Sequence, residues 1–241
     1  MRVLRDVFQT LWPPAGDRHG PLRPLLVALT FVTGIVDAAS YLKLGHVFVA
    51  NMTGNVVFLG FALAGAGGLS AASSLIALGS FLLGARLGHW LVGRHPQHRG
   101  HMLRAASSAQ ALLIVVALLL ALSVSEPFHD GVRYALTAIL AMAMGAQNAS
   151  AQTVAVPELT TTVLTKTLTG LAEPGQARGP ESNLGRRIVA VAAMLLGALA
   201  GALLALNMSV AAGLAAAAAI VLTVAVGVHL ASRSTGAWAT V

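Results

Sequence analysis

Six apolar runs, near residues 25–44, 69–93, 104–124, 132–153, 187–206 and 209–230, leave this chain few ways to fold. A helix crosses the ~30 Å hydrocarbon core of a bilayer with roughly 20 apolar residues, and each run is about that long. Charged residues make up 10% of the 241 and mean hydropathy is +0.79, whereas an ordinary soluble domain carries about 25% charge. The sequence therefore predicts an all-α polytopic membrane protein. Residues 1–24, with Pro13, Pro14, Pro21, Pro24 and four arginines, are expected to be a cytoplasmic tail. The first apolar run starts too far in for a signal peptide, and Asp37 interrupts its end. Residues 25–230 form one membrane domain, and 231–241 a second cytoplasmic tail.

A duplication constrains the fold further. Gly34-Ile35-Val36-Asp37-Ala38 followed by Met52-Thr53-Gly54-Asn55-Val56 is matched by Gly145-Ala146-Gln147-Asn148-Ala149 followed by Leu164-Thr165-Lys166-Thr167-Leu168. The glycines that open the motifs are 111 residues apart and the threonines 112; Gly84-x-x-x-Gly88 and Gly197-x-x-x-Gly201 follow at 113. Two repeats are expected, 25–124 and 132–230. Each contains a short, more polar run, 51–65 or 160–172, and charge decides whether these cross. With six spans, the N-terminal arginines, the Arg94–Arg104 loop, the Arg178–Arg187 loop and Arg233 all fall on one side, the cytoplasm. If the short runs also crossed, the Arg94–Arg104 loop would move outside, against the positive-inside rule. At 1.5 Å per residue the two runs make helices of about 18 and 20 Å, roughly half a bilayer core. The expected architecture is six transmembrane helices plus two re-entrant half-helices. Three spans per repeat is an odd number, so the repeats have inverted topology.

Polar residues at membrane depth are the candidate site. Backbone there must be buried in protein or reached by water, and a half-helix N-terminus presents free N–H groups and a positive dipole end. Asn51, Thr53 and Asn55 in the first repeat, and Gln147, Asn148, Thr161, Thr162, Thr165, Lys166 and Thr167 in the second, lie at or near those ends. Asp37 is the sharpest: a charged carboxylate at the centre of a lipid-facing helix costs about 2.5–3.5 kcal/mol on insertion scales, so it faces the interior. It reads as a substrate or proton-coupling carboxylate, with a structural pair to Lys166 as the alternative. The other residues read as a small polar site, or as helix caps and interhelical glue. The Gly-x-x-x-Gly pairs are packing faces between the repeats, with a homodimer as the open alternative. Lys43 and His46 read as interfacial anchors, Arg86 as interior or snorkelling, and the spaced His95, His98 and His101 as a solvated loop rather than metal ligands.

At these motifs the chain resembles the YoaK-like family of bacterial inner-membrane proteins. The likeness rests on Gly34-x-x-Asp37-Ala38, Phe48-Val49-Ala50-Asn51-Met52-Thr53-Gly54-Asn55, Gly145-Ala146-Gln147-Asn148-Ala149 and Thr161-Thr162-Val163-Leu164-Thr165, within about 25–230. Lys166 departs from it, since glycine is expected there. The resemblance implies an inner-membrane location and brings no substrate with it.

Other classes fit poorly. The net charge of +7 sits in loops and tails, without the basic stripe and interleaved aromatics of a nucleic-acid binder. Cysteine is absent, and no hydrolase, zincin or phosphate-loop motif occurs, so no enzyme, metal or cofactor is expected. The leading expectation is a secondary transporter for a small polar or anionic solute, with Asp37 coupling to protons. The alternatives are a passive small-solute channel and a non-transport scaffold or partner subunit.

Overall fold

The computed structural model describes residues 2–14, 16–94, 98–157, 159, 161, 167–169, 184–232 and 238–239. Among them every regular element is a helix: α1 Arg2–Leu11, α2 Leu22–Lys43, α3 Met52–Leu63, α4 Ala71–Gly93, α5 Arg99–Ser123, α6 Asp130–Val154, α7 Leu184–Asn207 and α8 Val210–Ala231. Local chemistry sets several ends. The hydroxyls of Ser70 and Ser209 accept from the backbone N–H groups of Ser73 and Ala212, capping α4 and α8, and the His98 ring accepts from His101 N–H, capping α5. Five helices, α2, α4, α5, α7 and α8, are long and apolar enough to cross a membrane. The protein is a polytopic helical membrane protein. The 25-residue α6 is of spanning length but is not among the five; Gln147, Asn148 and Ser150 dilute its C-terminal half.

Helix directions follow from close contacts. Gly197 of α7 lies against Phe31 of α2, and Gly201 one turn later against Ile35, so α2 and α7 run parallel. In the same way Gly84 and Gly88 of α4 meet Met142 and Ala146 of α6. At the far end of the bundle Glu126 Oε1 accepts from Val210 N–H at 2.7 Å, and at the near end Arg104 of α5 meets His229 of α8, so α5 and α8 are antiparallel. Short connections make α6 antiparallel to α5, and α8 antiparallel to α7. The chain thus enters and leaves segment 44–70 at one end of the bundle, where Gly45, Ser73 and Arg133 are neighbours.

The glycine seams are close because nothing larger fits. A Cβ on Gly84 would stand 2.0 Å from the Met142 carbonyl oxygen, and one on Gly197 2.0 Å from that of Phe31. Gly34 and Gly145 face these seams from the opposite side, each against backbone of the partner helix. Every contact of one seam has its counterpart in the other 111 to 113 residues along. The Gly-x-x-x-Gly faces are therefore used inside the molecule, first half against second.

Helix α1 packs on α7, where Asp6 Oδ2 accepts from Gly185 N–H at 2.7 Å. Its other face turns Leu4, Phe8 and Trp12 outward, three side chains on a four-residue spacing, with the Phe8 and Trp12 rings stacked at 5.5 Å. Pro13 and Pro14 lie just beyond the helix.

Candidate functional site

Asp37 lies inside the bundle, 5% exposed. The chain turns back after α2 through Gly45 (φ 101°) and His46 (φ 55°), which brings residues 47–51 alongside the helix. Asp37 Oδ1 accepts from Val49 N–H at 2.9 Å and from Ala50 N–H at 2.8 Å. These donors belong to an extended stretch at the entry to α3, where no helix or strand would pair them. Asn55, fully buried, completes the arrangement: its Oδ1 accepts from Phe48 N–H at 2.9 Å, and its Nδ2 donates to the Phe48 carbonyl at 2.6 Å. Asp37 and Asn55 together pair the backbone N–H groups of three consecutive residues, Phe48, Val49 and Ala50. The Phe48 ring packs against Tyr41 and Phe58, fixing α3 to the end of α2. Asp37 Oδ2 is buried and, among the described residues, has no hydrogen-bond partner.

A second polar group joins three helices. Gln147 of α6 donates from Nε2 to Thr33 Oγ1 of α2 at 2.9 Å and accepts at Oε1 from Gln110 Nε2 of α5. All three side chains are buried. Gln110 Oε1 and, on α6, Thr137 Oγ1 have no partner among the described residues. Thr33 precedes Asp37 by one helical turn, so the two polar groups share a face of α2.

Asn51 and Thr53 are exposed, and Asn148 is half-buried. Thr161 is buried, with a left-handed backbone (φ 63°), and Thr167 is buried. Thr162, Thr165 and Lys166 lie outside the described residues, so an Asp37–Lys166 pair does too. Arg86 and His89 are exposed on α4 beside Trp90, and the Arg94 guanidinium lies 3.6 Å above the Trp90 ring. Sequence reasoning passed over Gln110, Thr33 and Thr137. None belongs to the duplicated motifs, and a single amide in an apolar helix carries no pattern; only its depth in a span could have marked it.

A family described as protein of unknown function (DUF1275) matches residues 25–227. The chain belongs to this family. It is 34% identical over 151 residues to the UPF0700 transmembrane protein YoaK of Bacillus subtilis (strain 168), an alignment covering 62% of this chain and 65% of that relative. No solved structure matches. The matched region runs from α2 into α8 and contains both polar groups.

Proposed function

We propose that this protein is a secondary transporter for a small polar solute, built as six spans and two re-entrant half-helices in an inverted repeat and lying in the bacterial inner membrane with both termini cytoplasmic. The observation that carries the reading is the buried, incompletely satisfied polar face of α2: Asp37 Oδ2 and, across the bundle, Gln110 Oε1 and Thr137 Oγ1. Buried polar atoms are nearly always paired, and three without partners among the described residues, at membrane depth, suit a solute or water that comes and goes. Gln110 Oε1 is an acceptor only, and so is Asp37 Oδ2 while the carboxyl is ionised, so in that state a solute that donates hydrogen bonds fits better than an anion. An anion would also meet Asp37 at the entry to α3, where the carboxylate already holds the N–H groups of Val49 and Ala50. A carboxyl with one oxygen engaged and one free is able to carry a proton on the free oxygen, which makes Asp37 the coupling group.

The inverted plan draws support from the matched glycine seams, α2 with α7 and α4 with α6, and from segment 44–70 starting and finishing at one end of the bundle. The scaffold reading draws on Asn55, whose amide is fully engaged by Phe48 and is not available to a solute. Single cysteines at Thr53 and Thr137 of this cysteine-free chain separate the two readings. Labelling of Thr137→Cys by a membrane-impermeant maleimide, from either face of the membrane, is expected for a transporter. No labelling from either face, with a Ser125→Cys control reacting, would leave a dry packed centre and sink the transport reading.

A further inference from the structure

The end of the bundle where α2, α5 and α7 begin gathers positive charge that the transport reading does not use. Arg23 is 9% exposed and Arg99 6% exposed. Arg23 pairs with Asp17 Oδ2 at 2.9 Å, and Arg99 has no carboxylate partner among the described residues. Both guanidinium Nε atoms, and Nδ1 of His19, are buried without a hydrogen-bond partner among the described residues. The side chains share one neighbourhood: the Trp238 side chain packs against both Gly20 and Gly100, which sets residues 17–23 against the start of α5, and His19 feels the fields of Arg23, Arg99 and Arg186. Burial, and then these cations, hold the His19 imidazole down at about 4, so it is neutral at neutral pH. Asp17 is, among the described residues, the one carboxylate whose field is felt at His19, and Asp6 is already committed to the start of α7. Three helix N-termini add partial positive charge at the same end.

Unpaired buried cations are costly, because desolvation is not offset by a counter-charge. The arginine fork matches a phosphate's oxygens in geometry as well as charge. We propose that Arg23, Arg99 and His19 form a binding site for a phosphate group at the inner end of the bundle. This site is independent of the transport reading. The phosphate has two sources, a lipid headgroup or a free phosphate in solution. An apolar groove of about 570 Å³, lined from α1, α2 and α7 by Leu11, Pro24, Ala28, Phe31, Ile188 and Ala192, begins one residue along the chain from Arg23. It lies where the acyl chain of a bound lipid would run.

The test uses the full-length protein in a neutral detergent, with thermal unfolding as readout. The ligands are short-chain phosphatidylglycerol, phosphatidylcholine of equal chain length, inorganic phosphate, and sodium chloride at matched ionic strength. Ligand at about 100 times its Kd should raise Tm by on the order of 5 °C. A rise with phosphatidylglycerol, absent with phosphatidylcholine and lost in Ala192→Trp, which plugs the groove, assigns the site to an anionic lipid. An equal rise with inorganic phosphate that Ala192→Trp retains assigns it to a free anion. In Arg99→Gln either response should fall at least tenfold in apparent affinity, while the unliganded variant unfolds at or above the parent Tm, because a crowded cation has been removed. That combination separates a ligand site from a structural role. No rise beyond the chloride control, or an undiminished rise in Arg99→Gln and in Arg23→Gln, overturns the proposal.

Discussion

The two polar groups on α2 differ in reach. Asp37 works within its own half, with Asn55 holding residues 48–50 some twelve positions along the chain. Gln147 works between halves and joins α6 to α2 across 114 residues of sequence and to α5 across 37. Their positions in the duplicated motif are adjacent: Gln147 corresponds to Val36 and Asn148 to Asp37. A one-residue difference in where the polar group falls therefore moves it by about 100° around the helix, from a local clamp to a cross-bundle tie. The glycine seams beside them have not diverged in this way. The packing of the repeat is shared, and its polar chemistry is specialised.

Variants can break this contrast. The largest effect is expected at the shared seams. Gly84→Ala and Gly197→Ala each force a methyl group onto backbone oxygen, and each should cost roughly 3 kcal/mol or more. Equal losses in unfolding by a denaturing detergent would match the equivalence of the two seams; a loss at only one would break it. Next comes Asp37→Ala, which strands two buried N–H groups and should cost about 2–4 kcal/mol; Asp37→Asn retains an acceptor and should cost about half as much. Gln147→Leu should cost about 1–3 kcal/mol by leaving Gln110 unpaired, and Gln110→Leu combined with Gln147→Leu should recover part of that loss. Additive losses in the double variant would show that the Gln110–Gln147 bond contributes nothing. The smallest effect concerns His19. Its folded pKa of about 4 lies below the ordinary value of 6.5. The unfolded chain thus binds the extra proton first, and stability present above pH 6.5 is lost as pH falls towards 4. His19→Gln should flatten that part of a Tm-against-pH curve by a small amount, since His19 is partly exposed.

How far the sequence anticipated this molecule depends on the scale of the signal. Runs of twenty apolar residues were enough to place α2, α4, α5, α7 and α8 to within five residues at each end. Gly84, Gly88, Gly197 and Gly201 foretold where helices touch, because small residues four apart have one main use in a membrane helix. The burial of Asp37 followed from the cost of exposing it to lipid. The backbone N–H groups that its Oδ1 accepts from did not, since they are invisible in a sequence. Asn51 and Thr53 were grouped with Asn55 by proximity, yet a helix turns by about 100° per residue, and of the three only Asn55 is buried. Helix α1 was missed because its Leu4, Phe8 and Trp12 spacing is short and set among arginines and prolines. Gln110 was missed because one amide makes no pattern.

The crossed seams have a consequence for synthesis. Helix α2 waits for α7, and α4 waits for α6, so every glycine face made early finds its mate only after at least one more hairpin has been translated. The first half leaves the ribosome with two unmated surfaces in the bilayer and no close-packed pair among its own long helices. When α7 arrives it mates the older of the two surfaces, and the molecule closes from its last-made part back to its first.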